Sequence, residues 1–330
     1  MRYFATLGPN CSDLEVIKGM DELGLAGFRL NLSHSNLDDR LSWIEKVKEV
    51  NDNFEIILDI KGSEVRIRVK ADFEVKVGDK TVLRPLEGKD LETGVIFIED
   101  KVFRQLEIKD EIIIDDSNGR FKVMAFEEGG QGLVLEALLD AQIKDKKSMA
   151  CSNKAFEFSG YCLDDINNMK KAGELGIYAF MLPFVRSGGD VLDLRRELEA
   201  YGLAKTKIYA KIEDDLGIDN IDDIIDTCDV VVIARGDLGN NIGLKNVGRA
   251  QKKIAKACRA KKKDFMVVTQ LLDSMVQRPV PTRAEVNDIY NSVLDGATYL
   301  MLTQETAVGA YPVQAVRYMM DIAQIGEEDV

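Results

Sequence analysis

Apolar runs of strand length alternate with amphipathic helical segments through most of this chain, and that rhythm restricts its fold more than any other feature. Strand-like runs fall at Tyr3–Leu7, Gly27–Leu32, Glu55–Ile60, Ile177–Leu182, Thr206–Ile212, Val230–Ala234, Phe265–Thr269 and Thr298–Leu302. Between them lie helical segments such as Asp13–Leu23, Leu37–Val50, Asp164–Leu175, Asp190–Tyr201, Asn246–Ala260 and Ala284–Leu294, with a final one over Val313–Ile325. Strands that are apolar at successive positions are buried on both faces, as in a parallel sheet covered by helices. About eight strand–helix units predict an α/β fold, a (β/α)8 TIM barrel. An open doubly wound sheet is the competing architecture, but no G-x-G-x-x-G follows the first run.

The rhythm breaks once, between about Arg66 and Lys147, where short alternating runs replace it: Phe73–Val77, Thr81–Arg84, Glu111–Ile114, Arg120–Phe126 and Gly132–Ala137. Turn signals at Val77-Gly78-Asp79, Ser117-Asn118-Gly119 and Glu128-Gly129-Gly130 separate them. The expectation is a barrel from residues 1–66 and 147–330, with a small inserted all-β domain over 67–146 after the third strand. Emerging on the face where barrel active sites lie, it would serve as a lid.

A net charge of -13 argues against nucleic acid as a partner, so an anionic substrate needs a local cationic cluster. No apolar run approaches the roughly 20 residues that span a bilayer, and the N-terminal residues lack a signal-peptide pattern. The cysteines Cys11, Cys151, Cys162, Cys228 and Cys258 have no paired metal spacing and read as thiols in a reducing compartment. The expectation is a cytoplasmic protein without membrane contact.

In a barrel, functional side chains gather at the C-terminal ends of the strands. Lys211 and Glu213 are two apart at the end of the fifth run and share a face; the sixth ends in Arg235-Gly236-Asp237. Two carboxylates, Glu213 and Asp237, suffice for Mg²⁺ or Mn²⁺ that takes substrate oxygens as remaining ligands. Lys211 beside that metal could neutralise an enolate or a transferring phosphoryl group. The amides of Gly236 and Asp237, if they open a short helix, would hold a carboxylate. Arg29, Lys61, Arg66, Lys211 and Arg235 would make a positive mouth, and Asn31, Ser33 and Asp59 supply oxygens suited to a monovalent ion. Each has a plainer alternative. Lys211–Glu213 could be an ordinary ion pair, Asp59 and Asp237 helix caps, Asn31 and Ser33 turn formers, and Thr269 a satisfied hydroxyl. His34, the single histidine, fits a structural or nucleotide-stacking role better than that of a general base. Convergence of six strand ends on one mouth favours a site.

The segments FATLGPNCSD, FRLNLSHS, ILDIKGSEVR, AKIEDDLGIDNIDDII, VVVIARGDLG, VVTQLLDSM, RPVPTRAEVNDIYNSVLDGA and MLTQETAVGAYPVQAV resemble successive blocks of the pyruvate kinase family, in family order, from Tyr3 to about Ile325. The resemblance implies a barrel with an inserted β-domain and phosphoryl transfer between phosphoenolpyruvate and ADP, giving pyruvate and ATP. It implies Mg²⁺ (or Mn²⁺) on Glu213 and Asp237, Lys211 at the phosphoryl in flight, and the substrate carboxylate on the Gly236 and Asp237 amides and Thr269. Thr269 would also lie near the proton-donor path. Arg29 and Arg66 would contact phosphates. K⁺ would sit among Asn31, Ser33, Asp59 and the Ile60 carbonyl, with Glu64 marking K⁺ dependence. Pro9, His34 and Lys147 would lie on the nucleotide side, and a homodimer would form through the barrel.

The chain departs from the family pattern at Asp59-Ile60-Lys61-Gly62-Ser63-Glu64, at Thr303-Gln304-Glu305-Thr306-Ala307-Val308-Gly309, and at Lys146-Lys147-Ser148-Met149-Ala150-Cys151. The last replaces a stretch that carries the lid hinge and a nucleotide-side lysine. The inserted domain is short for the family, and the family's C-terminal regulatory domain has no counterpart, so sugar-phosphate allostery of the usual kind is expected to be missing. The alternatives are a metal-dependent lyase or aldolase acting on a 2-oxo acid on the same barrel, and a non-catalytic metabolite-binding relative.

Overall fold

In the computed structural model, which describes residues 1–33, 35–62, 65–86, 90–115, 118–152 and 161–330, the eight apolar runs become the eight strands of one closed barrel. They are β1 Arg2–Thr6, β2 Gly27–Asn31, β3 Glu55–Asp59, β4 Ala179–Leu182, β5 Lys207–Ile212, β6 Val230–Ala234, β7 Phe265–Val268 and β8 Tyr299–Leu302. All neighbouring pairs are parallel, in sequence order, and β8 closes onto β1 through Arg2 opposite Tyr299 and Ala5 opposite Leu302.

Alternation divides each strand between two cores. Phe4, Ile57, Met181, Tyr209, Val232, Met266 and Met301 fill one contiguous interior, while intervening residues such as Val231 and Ile233 are equally buried. Hence the near-continuous apolar runs. Strand ends are shorter than the runs where the backbone turns away: Gly176 (φ 60°) precedes β4, and Thr269 (φ 70°) leaves β7.

Helix starts follow local chemistry. Asp13 caps Leu14–Glu22, and capping boxes at Ser187/Asp190 and Thr282/Glu285 open Gly188–Ala200 and Arg283–Leu294. The expected helix 37–50 is split into a 3₁₀ turn, Leu37–Arg40, and a helix, Leu41–Val50. No described helix is long and apolar enough to cross a membrane.

The chain divides into two compact units, Met1–Gly62 with Cys162–Val330, and Ser63–Tyr161. The second is wider than the expected 67–146. Ser148–Cys151, assigned from sequence to the barrel, pairs instead with Val65–Arg66 and Glu111–Ile114. This unit holds a seven-stranded sheet and a two-stranded one, Phe73–Val75 with Ala141–Ile143. It is not purely β, because Asp100–Phe103 forms one helical turn. The strand Val95–Ile98 was also not legible from alternation, since all four of its residues are buried.

Candidate active site

The inward parity of β3 and β5 carries past the apolar core into charge. Ile57 and Tyr209 belong to the interior, and two residues further along their strands come Asp59 and Lys211. The Lys211 ammonium lies 3.1 Å from Asp59 Oδ1 and 3.2 Å from Glu213 Oε1. The side chains of Asp59 and Glu213 are each only 1% exposed, and that of Lys211 11%. Arg29, on β2, donates from Nε to Asp59 Oδ2 at 3.0 Å, pairs with the same oxygen through its second terminal nitrogen, and reaches Thr6 Oγ1 at 3.2 Å. This is a buried charge network and not an exposed ion pair, so it cannot be dismissed as surface decoration.

Charge accounting decides the protonation states. Burial opposes ionisation of Asp59, but Lys211 and Arg29 overcome it and hold its pKa below the ordinary value. Burial likewise opposes the Lys211 ammonium, and Asp59 and Glu213 overcome it and raise its pKa. Glu213 is the group left short. Burial and the nearby Asp237 outweigh its share of Lys211, and its pKa is pushed up to about 8. The Phe184 amide, held at φ 50°, donates to Glu213 Oε2 at 2.7 Å, and Asn241 donates to the Glu213 carbonyl at 2.8 Å.

The helix Arg235–Ile242 follows β6 directly and places Gly236 and Asp237 in its first turn. Asp237 does not cap this helix; the N-cap is Ala234. Asp59 is no cap either, being tied to Lys211 and Arg29. A methyl group added at Gly236 would meet only the Thr269 side chain, at 3.7 Å or more, an ordinary contact. Packing therefore does not require glycine there. The Gly236 amide donates to Thr269 Oγ1 at 2.8 Å, and that hydroxyl donates to the Val268 carbonyl at 2.6 Å.

Two cations expected at a positive mouth are spent elsewhere. Arg235 is bonded to the Thr269 and Gln270 carbonyls and to Asp288. Lys61 pairs with Asp164 at 2.5 Å, while the amides of Lys61 and Gly62 donate to Asp165. Sequence could not reveal this, because the acidic partners lie far along the chain.

A cavity of about 230 Å³ opens beside the network, lined by Thr6–Pro9, Arg29, Asn31, Arg40, Trp43, Thr303 and Gln304 among others. It brings Pro9 and Arg29 together. Arg40 and Trp43, which the motifs did not single out, add a guanidinium 4.2 Å from the indole centroid. Asn31 Oδ1 accepts from the Ser33 amide at 3.1 Å, the turn-forming role, and Ile60 follows Asp59 with its amide bonded to the Met181 carbonyl. Within the second unit, Arg66 donates to the Lys146 carbonyl at 2.7 Å and Lys147 pairs with Asp115 at 2.8 Å. His34 and Glu64 lie outside the described residues.

The donors fit a hard cation. Among the described residues Glu213 Oε1 and Asp59 Oδ1 are buried without a hydrogen-bond partner, each within ion-pair distance of the Lys211 ammonium. Among the described residues no group of three or more His, Cys, Asp or Glu side chains could hold a metal alone. A divalent ion on Glu213 and Asp237 would therefore need oxygens from solvent or substrate.

Residues 2–316 match the pyruvate kinase barrel domain. The pyruvate kinase of Lactobacillus delbrueckii subsp. bulgaricus is 36% identical over 325 residues, 96% of this chain and 55% of its own length. That of Bacillus licheniformis is 32% identical, over 98% of this chain and 56% of its own. The chain thus spans little more than half the length of these relatives. The crystal structure of a pyruvate kinase from Cryptosporidium parvum superposes with a TM-score of 0.87 at 28% identity, over all of this chain and 69% of that one. A family match over nearly the whole chain, on a barrel of the same architecture, makes this protein a member of the pyruvate kinase family.

Proposed function

We propose that the barrel transfers a phosphoryl group between phosphoenolpyruvate and ADP, giving pyruvate and ATP. The observation that carries this is the buried Lys211 ammonium held between Asp59 and Glu213 at the strand ends. In the forward direction the bond from phosphorus to the enol oxygen breaks and one to the β-phosphate oxygen of ADP forms. The enolate left behind takes a proton at C3. Lys211 places positive charge where negative charge develops on the transferring group. Mg²⁺ held by Glu213 and Asp237 would polarise the same oxygens. The Asp237 amide orients the substrate carboxylate, joined by the Gly236 amide once Thr269 Oγ1 releases it, and Thr269 lies near the protonation path. Arg29 is held by Asp59 and Thr6 beside the cavity that would receive the nucleotide with Pro9. K⁺ would use oxygens of Asn31, Ser33, Asp59 and Ile60, and Arg66, Lys147 and His34 remain part of the phosphate and nucleotide assignment. A cytoplasmic location and a homodimer through the barrel belong to the same proposal.

The test is pyruvate formation from phosphoenolpyruvate and ADP with Mg²⁺ and K⁺. Lys211→Met should lower it by at least ~10²-fold, and Na⁺ in place of K⁺ should lower it too. Wild-type turnover no greater than that of Lys211→Met would sink the proposal. Pyruvate release from a larger acid without ADP would favour a lyase, and oxalate binding without either reaction a non-catalytic relative.

A further inference from the structure

Thr269 is the one β-branched residue among the described residues with positive φ, and it is followed by Gln270, also left-handed (φ 70° and 52°). A β-branched residue there is strained and persists only where surrounding bonds hold it. The Thr269 and Gln270 carbonyls are both held by one side chain. Arg235 Nε and a terminal nitrogen donate to the Thr269 carbonyl at 3.2 and 2.8 Å, and that nitrogen reaches the Gln270 carbonyl at 3.1 Å. Asp288 fixes the guanidinium from behind at 2.7–2.8 Å. With Gln251 Oε1 at 3.5 Å, every face of the fork is engaged, and the side chain is only 10% exposed.

We propose that Arg235 is a positioning residue: anchored on Asp288, it locks the Thr269–Gln270 turn so that the Thr269 hydroxyl stands at the Gly236 amide, ready to exchange that amide for a substrate carboxylate. This rests on the functional assignment above. Thr269 Oγ1 accepts from the Gly236 N–H at 2.8 Å. A carboxylate arriving at the helix start takes over that N–H and releases the hydroxyl toward the substrate. Arg235 acts through the two carbonyls and Asp288 that it bonds. Lysine keeps the charge but cannot bridge two carbonyls and a carboxylate in one plane.

The test compares Arg235→Lys, Asp288→Asn and Thr269→Ala with the Arg235→Lys/Thr269→Ala double variant. Two readouts are used: hydrogen exchange of the Gly236 amide without ligand, and oxalate affinity with turnover. Arg235→Lys should speed Gly236 exchange about tenfold, the equivalent of one lost hydrogen bond. It should lower kcat by ~10²-fold, with KM for ADP within about twofold. Asp288→Asn should do the same more weakly, and serves if Arg235→Lys does not fold. In the Thr269→Ala background Arg235→Lys should add nothing, because the coupling runs through Thr269. Additive losses, or unchanged Gly236 exchange in Arg235→Lys, would overturn the lock. If wild-type protein turns over no phosphoenolpyruvate, the functional assignment fails, while exchange and oxalate affinity still decide the role of Arg235.

Discussion

Lys211 Nζ lies 3.2 Å from Glu213 Oε1, yet that carboxylate's pKa is pushed up to about 8, because burial, with Asp237 nearby, outweighs the one ammonium it shares with Asp59. Glu213 therefore holds its proton to higher pH than an exposed carboxylate does.

Between its ordinary value of 4.5 and about 8, the folded metal-free protein keeps a proton on Glu213 that the unfolded chain has released. This group's stabilisation is full below the lower value and is lost as pH rises to the upper. Glu213→Gln should flatten that part of the stability curve, measured by urea unfolding in chelator. Asp59, with its pKa lowered, acts oppositely: its contribution is lost as pH falls below its ordinary 3.8. Mg²⁺ affinity should rise about tenfold per pH unit below 8, where one proton competes with the ion. A pH-independent affinity would refute the exchange.

Gly236→Ala separates fold from function. The added methyl meets only Thr269 at ordinary contact distance, and Ala in a helix gains roughly 0.4–1 kcal/mol over Gly. Thermal stability should be unchanged or higher while oxalate affinity falls at least ~10-fold. Gly8→Ala provides the contrast, since its methyl would lie 2.4 Å from the Ala307 carbonyl oxygen; that variant should lose stability.

Trp43 is the only tryptophan in the chain and lines the cavity with Arg29 and Arg40. Titration with ADP should change its fluorescence, and adenosine should bind more weakly than ADP. Arg40→Gln should weaken ADP roughly fivefold, the equivalent of ~1 kcal/mol, and leave oxalate affinity unchanged. An ADP titration that leaves the emission flat would remove this cavity from the nucleotide assignment.

At the opposite end of the barrel, Arg2 pairs with Glu55, donates to Tyr178 Oη at 3.1 Å, and lies 5.6 Å from the Phe4 and Tyr299 ring centroids. The charge pair there supports stability and not chemistry, because barrel active sites occupy the other face. Arg2→Met leaves a largely buried Glu55 oxygen without its cation and should cost ~1–3 kcal/mol in denaturant unfolding. Turnover per folded molecule should be unchanged.

The sequence by itself determined the barrel, because parallel strands buried on both faces must be apolar throughout, and the eight runs stand close to the eight strands. It determined as well that Lys211 and Glu213 share a face, since strand alternation is local. The second unit was less legible. Val95–Ile98 lacks alternation, and Ser148–Cys151 becomes a strand only through its partners Val65–Arg66 and Glu111–Ile114. Only the tertiary structure decided which charges are free. Lys61 is taken by Asp164, Arg235 by Asp288 and two carbonyls, and Asp59 by Lys211 and Arg29. Spacing along the chain carries side-chain direction, but the electrostatics of a buried group depend on neighbours from every strand that meets it.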